Sequence, residues 1–160
     1  MRLILAQGDL FGKVRMTQQG GEVVFMLSSK EVCPEEHPVA IVHCISADAA
    51  MGKGFALQVA RMLGTGLRTS IIASHPSVGE TIFRQGIFHM VTKLYCWQKP
   101  ARMDFMTALS SLASMVSRSG YKWLIMPKIG CGLDGLDWKW VQDLIEQAFS
   151  LWDGTIVVCV

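Results

Sequence analysis

Residues 123–138, which read WLIMPKIGCGLDGLDW, decide the fold expected for this chain. The stretch opens as an apolar run and closes as a glycine-rich loop with acidic residues inside it. Apolar residues at helical spacing follow, so the order is strand, loop and helix. This order builds a phosphate cradle, because glycine lets the backbone approach an anion and the helix start supplies partial positive charge. It is equally compatible with a tight strand-to-helix turn that binds nothing.

The composition is that of a folded domain with one hydrophobic core. Of the 160 residues, 51% are apolar and 18% are charged, which excludes a disordered protein. The 15 basic and 13 acidic residues leave a formal charge of +2, too balanced for binding nucleic acid by phosphate neutralisation. No apolar run approaches the roughly 18 residues that a membrane-spanning helix needs, so no membrane partner is expected. The first residues, MRLILA, read as a strand and not as a signal peptide.

The cysteines indicate reduced thiols in a cytosol-like compartment. They are odd in number and widely spaced: Cys33, Cys44, Cys96, Cys131 and Cys159. None pairs with another cysteine, or with a histidine, at the spacing of a metal site. We therefore expect a cytoplasmic protein, or a nuclear one in a eukaryote, without a metal site.

Strand and helix patterns alternate along the chain. Strands are expected at residues 3–6, in a hairpin over 13–27, and at 39–45, 80–84, 86–92, 122–126 and 155–160. Helices are expected at residues 55–63, 103–117 and 138–152. Residues 65–75 fit either a helix or a strand, and we favour the helix. Loops are expected at residues 28–38, 46–54 and 93–102.

This alternation predicts a mixed sheet with helices on both faces. Ligands of such sheets bind beyond the carboxyl ends of the strands. Three loops leave strands there, at residues 8–9, 46–54 and 129–134, and Lys93 follows another strand. We therefore expect four polar features to meet at one edge of the sheet.

Six blocks of sequence fall at or near this edge. They are QGDLF (7–11), HCISAD (43–48), MGKG (51–54), TK (92–93), KP (99–100) and MPKIGCGLD (126–134). In this order, over nearly the whole chain, they resemble a macro domain of the terminal ADP-ribose protein glycohydrolase branch. The resemblance implies a single α/β macro domain over residues 1–160, a three-layer sandwich whose mixed central sheet is flanked by helices. A hairpin insert at about residues 13–38 departs from that branch, whose connection there is shorter.

The resemblance further implies that the site binds ADP-ribose and needs neither a metal nor an organic cofactor. The expected ligand contacts are Gly8, Asp9, Leu10, Ile45, Ser46, Met51, Gly52, Gly54, Pro127, Ile129, Gly130, Cys131, Gly132 and Leu133. The Asp9 carboxylate can accept a hydrogen bond from the adenine amine, unless it only closes an Asx-turn, and Leu10 can take up the ring edge. Gly52 and Gly54 precede a helix, so they can bend around ribose and phosphate. Ser46 would line the distal ribose.

Lys93 and Asp134 are the expected catalytic residues. In the resembled branch a lysine at the Thr-Lys position attacks the anomeric carbon of the distal ribose. The modified carboxylate then leaves, and an aspartate after the Gly-x-Gly loop helps resolve the lysyl adduct. A lysine attacks only as a neutral amine, whereas a neighbouring acid stabilises its charged form. The pair would therefore share protons, with Asp134 acting as the base.

Each of these residues also has a plainer structural interpretation. Lys93 could be a solvated surface lysine, and Asp134 could be an ordinary loop acid. Asp137, directly before the helix, is the better candidate for its N-cap. Cys131 is interpreted as a small apolar side chain, because no cationic residue adjoins it in sequence to lower its pKa. His43, in a buried strand, is expected to be a core histidine.

The expected function is removal of ADP-ribose from glutamate and aspartate side chains, with ADP-ribose or a mono-ADP-ribosylated protein as the partner. One alternative is a phosphatase that acts on ADP-ribose 1″-phosphate in the same pocket. Another is a reader that binds ADP-ribose without turnover, although the presence of both Lys93 and Asp134 argues against it. Related macro domains act on ADP-ribosylated DNA but tend to lack this aspartate. Nucleic acid is therefore not expected as a partner unless it is ADP-ribosylated.

Overall fold

A mixed sheet of eight strands forms the centre of the protein, described over residues 1–160 by a computed structural model. The strands are β1 (Arg2–Ala6), β2 (Val14–Gln19), β3 (Glu22–Leu27), β4 (His37–Ser46), β5 (Thr81–Arg84), β6 (Ile87–Lys93), β7 (Trp123–Pro127) and β8 (Thr155–Cys159). Their order is β1-β8-β7-β4-β3-β2, and β6 lies between β4 and β5. Strands β1, β8, β7, β4 and β6 are parallel, whereas β2, β3 and β5 pair antiparallel. The carboxyl ends of the five parallel strands therefore share one edge.

Two layers of helices cover the sheet. They are α1 (Gly54–Leu63), α2 (Thr65–Ala73), α3 (Arg102–Ser119) and α4 (Trp138–Ala148). Side chains alternate along β4, so that Ile41 and Ile45 pack with α1 and α2, and Ala40 and Val42 pack with α3 and α4. This arrangement confirms the expected three-layer α/β sandwich. No helix is both long enough and apolar enough to span a bilayer.

Strand β4 starts earlier than expected. It begins at His37, in a stretch predicted to be a loop, because its first residues pair antiparallel with β3: His37 lies opposite Leu27 and Pro38 opposite Met26. The β2–β3 hairpin is thereby joined to the central sheet. The prolines in residues 28–38 had suggested an irregular segment throughout, but proline is tolerated near the beginning of a strand.

Helix α4 is shorter than expected, whereas the ambiguous segment after α1 is helical as favoured. Helix α4 ends at Ala148 and not at residue 152, since Phe149 leaves the helical conformation with φ −104° and ψ 12°. The Phe149 ring is buried and packs edge-on against Trp152, with ring centroids 5.5 Å apart. Burial of this ring turns the chain back toward β8.

Lys93 is the last residue of β6, and not the first residue of a loop. Gln85 and Gly86 form the β5–β6 turn with positive φ values, which moves the strand one residue along the chain from its expected position. Lys93 pairs with Ser46, and its carbonyl accepts a hydrogen bond from Ala47 N at 2.8 Å. The ladder therefore fixes the backbone from which the Lys93 side chain projects.

A histidine pair is buried beneath this edge. His43 Nε2 and His89 Nδ1 are 2.6 Å apart, and His89 Nε2 lies 3.4 Å from the Arg84 carbonyl. If His89 donates to that carbonyl, its Nδ1 accepts from His43, which leaves His43 Nδ1 as a lone pair without a partner. Burial lowers the pKa of His43 well below its ordinary value, and lowers the pKa of His89 to about 4. His43 is thus a core histidine, as expected, and both rings are neutral.

The glycine-rich loop after β7 requires glycine at position 130. Gly130 has φ +73°, and a Cβ there would lie 2.8 Å from Leu136 Cδ1 and 3.0 Å from Phe105 Cε2. Gly132, two residues on, has no heavy atom within 4 Å of such a Cβ. A hydrogen bond of 2.8 Å from Leu136 N to the Gly130 carbonyl closes the loop. The close approach of α3 and of Leu136 therefore shapes the loop.

The histidine pair should make the protein less stable as the pH falls below about 6.5. Unfolded histidines bind protons at that pH, whereas the folded pair does not until the pH is much lower. For His89 alone, the free energy of unfolding should fall by about 2 kcal/mol between pH 7 and pH 5. Urea denaturation measures this, and His89→Asn should reduce the pH dependence. The exposed His75→Asn is the matched control, and an unfolding free energy that does not change with pH would contradict the assignment.

Gly130→Ala should destabilise the fold by about 1–3 kcal/mol, because alanine is strained at this φ and meets Leu136 and Phe105. Gly132→Ala, in the same loop, should change the free energy of unfolding by less than about 0.5 kcal/mol. Chemical denaturation of both variants measures the difference. Equal losses would show that the close packing around Gly130 is not what shapes the loop.

Candidate active site

The site lies at the carboxyl edge of the sheet, where Lys93 and Asp134 meet. Lys93 Nζ is 2.7 Å from Asp134 Oδ1, and the side chains are 15% and 16% exposed. Lys93 ends β6, and Asp134 lies in the loop between β7 and α4. An ion pair largely removed from solvent is screened less than one on the surface. The two side chains that were expected to face each other are thus in direct contact.

The glycine loops before α1 and after β7 touch each other. A Cβ on Gly54, which has φ +59°, would lie 3.2 Å from Leu133 Cδ1. Among residues 51–53 and 129–134, only Cys131 N donates to a backbone acceptor. The two loops thus present a set of free N–H groups, next to the N-terminus of α1. Free N–H groups of this kind bind phosphate oxygens, which is the chemistry expected for a diphosphate.

Lys99 forms a second contact between the segment after β6 and the loop after β7. Its Nζ donates to the carbonyl of Leu133, next to Asp134. Lys93 and Lys99 therefore hold residues 94–98 between them against the loop after β7. The sequence placed Lys99 only in a two-residue block, so this positioning contact was not predicted.

Asp48 organises the loop after β4 and was not predicted as a site residue. Its Oδ1 accepts from Ser46 Oγ at 2.5 Å and from Ala50 N at 3.2 Å, and its Oδ2 accepts from Cys96 N at 3.2 Å. Burial raises the pKa of Asp48, but these hydrogen bonds outweigh it and hold the pKa below its ordinary value. Asp48 accepts from the backbone N–H two residues later, at Ala50, which is an Asx-turn, and the preference of aspartate for such turns in loops is the signal that could have identified it.

Two thiols near the ion pair are protonated. Burial raises the pKa of Cys44 far above its ordinary value, and the charge of Asp134 and the thiol of Cys131 add to the effect. Burial also raises the pKa of Cys131, whose Sγ donates to the Ile129 carbonyl at 3.3 Å. Cys131 therefore behaves as the small neutral side chain that was expected, and neither thiol is activated as a nucleophile.

The loop after β1 carries the residues expected at the adenine end. Gly8 N donates to the Val160 carbonyl at 3.1 Å, which ties the loop to the end of β8. Asp9 is exposed, and its side chain makes no capping hydrogen bond to the 3-10 turn (Leu10–Gly12) that follows. The carboxylate is therefore free to accept a hydrogen bond from a ligand.

The remaining predicted contacts divide into exposed and buried residues. Exposed or half-buried positions are Gly52, Gly54, Pro127, Gly130, Cys131, Gly132 and Leu133. Leu10, Ile45, Ser46, Met51 and Ile129 are at most 5% exposed. The buried residues offer little surface to a ligand and instead support the loops from below. Asp137, as expected, caps α4: its Oδ2 accepts from Trp140 N at 3.0 Å.

A shallow hollow between β1 and α4 lies away from this edge. It is lined by Met1, Leu3, Leu5, Gln142, Glu146 and Ser150. Its walls carry a carboxylate but neither lysine nor arginine, so it is poorly suited to a diphosphate. No group of three or more histidine, cysteine, aspartate or glutamate side chains is arranged to hold a metal ion.

The chain is similar to curated glycohydrolases over nearly its whole length. ADP-ribose glycohydrolase OARD1 from Homo sapiens is 31% identical over 144 residues, which cover 88% of this chain and 92% of that protein. The OARD1 from Bos taurus is 30% identical over 151 residues, covering 92% and 97%. No family model matches the chain.

The fold is that of a solved macrodomain, from Thermus aquaticus DarG. The TM-score is 0.73 at 19% identity, and the alignment covers 98% of this chain and 96% of that one. This likeness shows the fold, whereas the OARD1 proteins show the family. The chain belongs to the macro domain family, in the hydrolase branch that includes ADP-ribose glycohydrolase OARD1.

Proposed function

We propose that this protein removes ADP-ribose from glutamate and aspartate side chains of modified proteins, with Lys93 as the nucleophile. Its family makes it an ADP-ribose hydrolase. One observation carries the finer assignment: an amine and a carboxylate 2.7 Å apart lie at the edge where two loops present free N–H groups. The loops would hold the diphosphate, and the pair would then face the distal ribose.

The ion pair supplies both the nucleophile and the base. Lys93 passes a proton to Asp134, and its Nζ lone pair bonds to the anomeric carbon as the ester C–O bond breaks. The bonding electrons leave on the substrate carboxylate, which needs no proton at neutral pH. Asp134 releases its proton to solvent and then takes one from water, whose oxygen displaces the amine. The Asp134 proton returns to Lys93, and free ADP-ribose leaves.

An ester-linked substrate suits this pair because it needs little activation. A carboxylate is a good leaving group, so the unfavourable proton transfer from an ammonium to a carboxylate is the main barrier that the site must lower. Exclusion of water by the bound sugar would weaken the solvation of both charges and favour their neutral forms. The protonated thiols of Cys44 and Cys131 add no charge of their own beside the pair.

We place this activity in a single domain of residues 1–160, with the hairpin as its insert. We place it in a reducing, cytoplasm-like compartment because all five cysteines are free thiols.

Lys93→Ala and Asp134→Ala should each lower the rate of ADP-ribose release from glutamate-modified protein by about 10²- to 10⁴-fold, because each removes a group that bonds or transfers a proton in the reaction. Release of free ADP-ribose measures the rate. Lys122→Ala is the matched control, since it breaks another lysine–aspartate pair, Lys122–Asp153. The side chains of that pair are 60% and 77% exposed, and the pair lies at the opposite edge of the sheet.

Unchanged rates in Lys93→Ala and Asp134→Ala would contradict the proposed mechanism. Turnover of ADP-ribose 1″-phosphate but not of the ester would instead identify a phosphatase. Tight binding of ADP-ribose in calorimetry with no turnover of either substrate would identify a reader.

A further inference from the structure

An exposed apolar surface lies directly beside Lys93. It is formed by Leu94, Tyr95 and Trp97, which follow β6. Their exposed fractions are 47%, 45% and 75%, in that order. We call these three residues the rim patch. An exposed cluster of large apolar side chains marks a place where another molecule binds.

The rim patch is held in place by hydrogen bonds of its backbone. Tyr95 N donates to Gln98 Oε1 at 2.9 Å, and Gln98 N donates to the Tyr95 carbonyl at 3.1 Å. Cys96 N donates to Asp48 Oδ2, which joins the turn to the loop after β4. The Tyr95 and Trp97 rings are stacked, with centroids 5.7 Å apart and planes 9° from parallel. Preorganised aromatic rings bind at a smaller cost in conformational entropy than mobile ones.

The rim patch lies next to the part of the substrate that is attached to the anomeric carbon of ADP-ribose. Lys93 contacts Asp134 and Lys99 contacts Leu133, so the segment between the two lysines is held at the mouth of the site. The attacked anomeric carbon must lie within bonding reach of Lys93 Nζ. The group attached to that carbon therefore extends past the segment between Lys93 and Lys99.

The chemistry of the rim patch favours a polypeptide over a nucleic acid. Its three side chains are apolar or aromatic, and tryptophan and tyrosine are the residues that most often dominate protein interfaces. The two lysines of the segment are already engaged, one by Asp134 and the other by the Leu133 carbonyl. Neither is free to neutralise a phosphate, which a nucleic acid strand would require.

We propose that the rim patch binds an apolar side chain next to the modified glutamate or aspartate, with Trp97 as the main contact. This inference rests on the proposed function and adds a sequence preference to it. Trp97 is a specificity residue, because it contacts the protein part of the substrate and not the reacting atoms.

The test uses two peptides that carry ADP-ribose on one glutamate, flanked by leucines in one and by serines in the other. The protein should release ADP-ribose from the leucine peptide with about tenfold higher kcat/KM, and Trp97→Ala should abolish the preference. Release from the serine peptide should stay the same in Trp97→Ala. Leu151→Ala, at a fully exposed leucine before β8 on the opposite edge, is the control and should keep the preference.

Equal rates on the two peptides, or a preference that survives in Trp97→Ala, would overturn the inference while leaving the proposed function intact. A second contrary result is that Trp97→Ala lowers the release of ADP-ribose only from an ADP-ribosylated single-stranded oligonucleotide. That result would show that the rim patch binds a stacked base and not a peptide side chain. Release from neither peptide by the unaltered protein would instead refute the proposed function.

Discussion

The Lys93–Asp134 ion pair is the interaction on which the site depends. It joins two segments 41 residues apart in sequence, and it does so within a fold that fixes both of them. Lys93 is held by the ladder between β4 and β6, and Asp134 by a loop whose shape depends on Gly130. The pair joins an amine to a carboxylate at 2.7 Å, yet the proposed chemistry needs the amine in its neutral form. In the proposed mechanism, substrate binding supplies the free energy that moves the proton.

The order of the parallel strands explains why these groups meet. Strands β1, β4, β6 and β7 all end at one edge, so the loops that follow them are neighbours although they are distant in sequence. Contacts between loops then refine the arrangement. Gly54 packs against Leu133, and Lys99 donates a hydrogen bond to the Leu133 carbonyl. Asp48 joins the loop after β4 to the segment after β6. The diphosphate and the reacting sugar would thus be held by a connected set of loops.

Local patterns allowed much of this to be predicted. The glycine loop after β7 and the Asp137 cap follow from residues adjacent in sequence, and both are present. The alternation of strands and helices correctly predicted the layers and the edge. The functional assignment of Lys93 and Asp134 came from family resemblance, because a lysine and an aspartate 41 residues apart form no pattern of their own.

The features that could not be predicted arise from contacts between distant segments. The contacts of Asp48 with Cys96 and of Lys99 with Leu133 depend on how loops approach one another in three dimensions. The pairing of His43 with His89 depends on the register between β4 and β6. Pro38 lies in a strand because β3 pairs with it, which overrides its local preference for a loop.

The most direct measurement is the intact mass of Asp134→Ala after incubation with a peptide that carries ADP-ribose on glutamate. The account predicts a covalent adduct with the mass of one ADP-ribosyl group, which peptide mapping places on Lys93, because attack proceeds slowly while resolution lacks its base. A protein of unchanged mass while the peptide is still hydrolysed, or an adduct on another residue, would contradict Lys93 as the nucleophile.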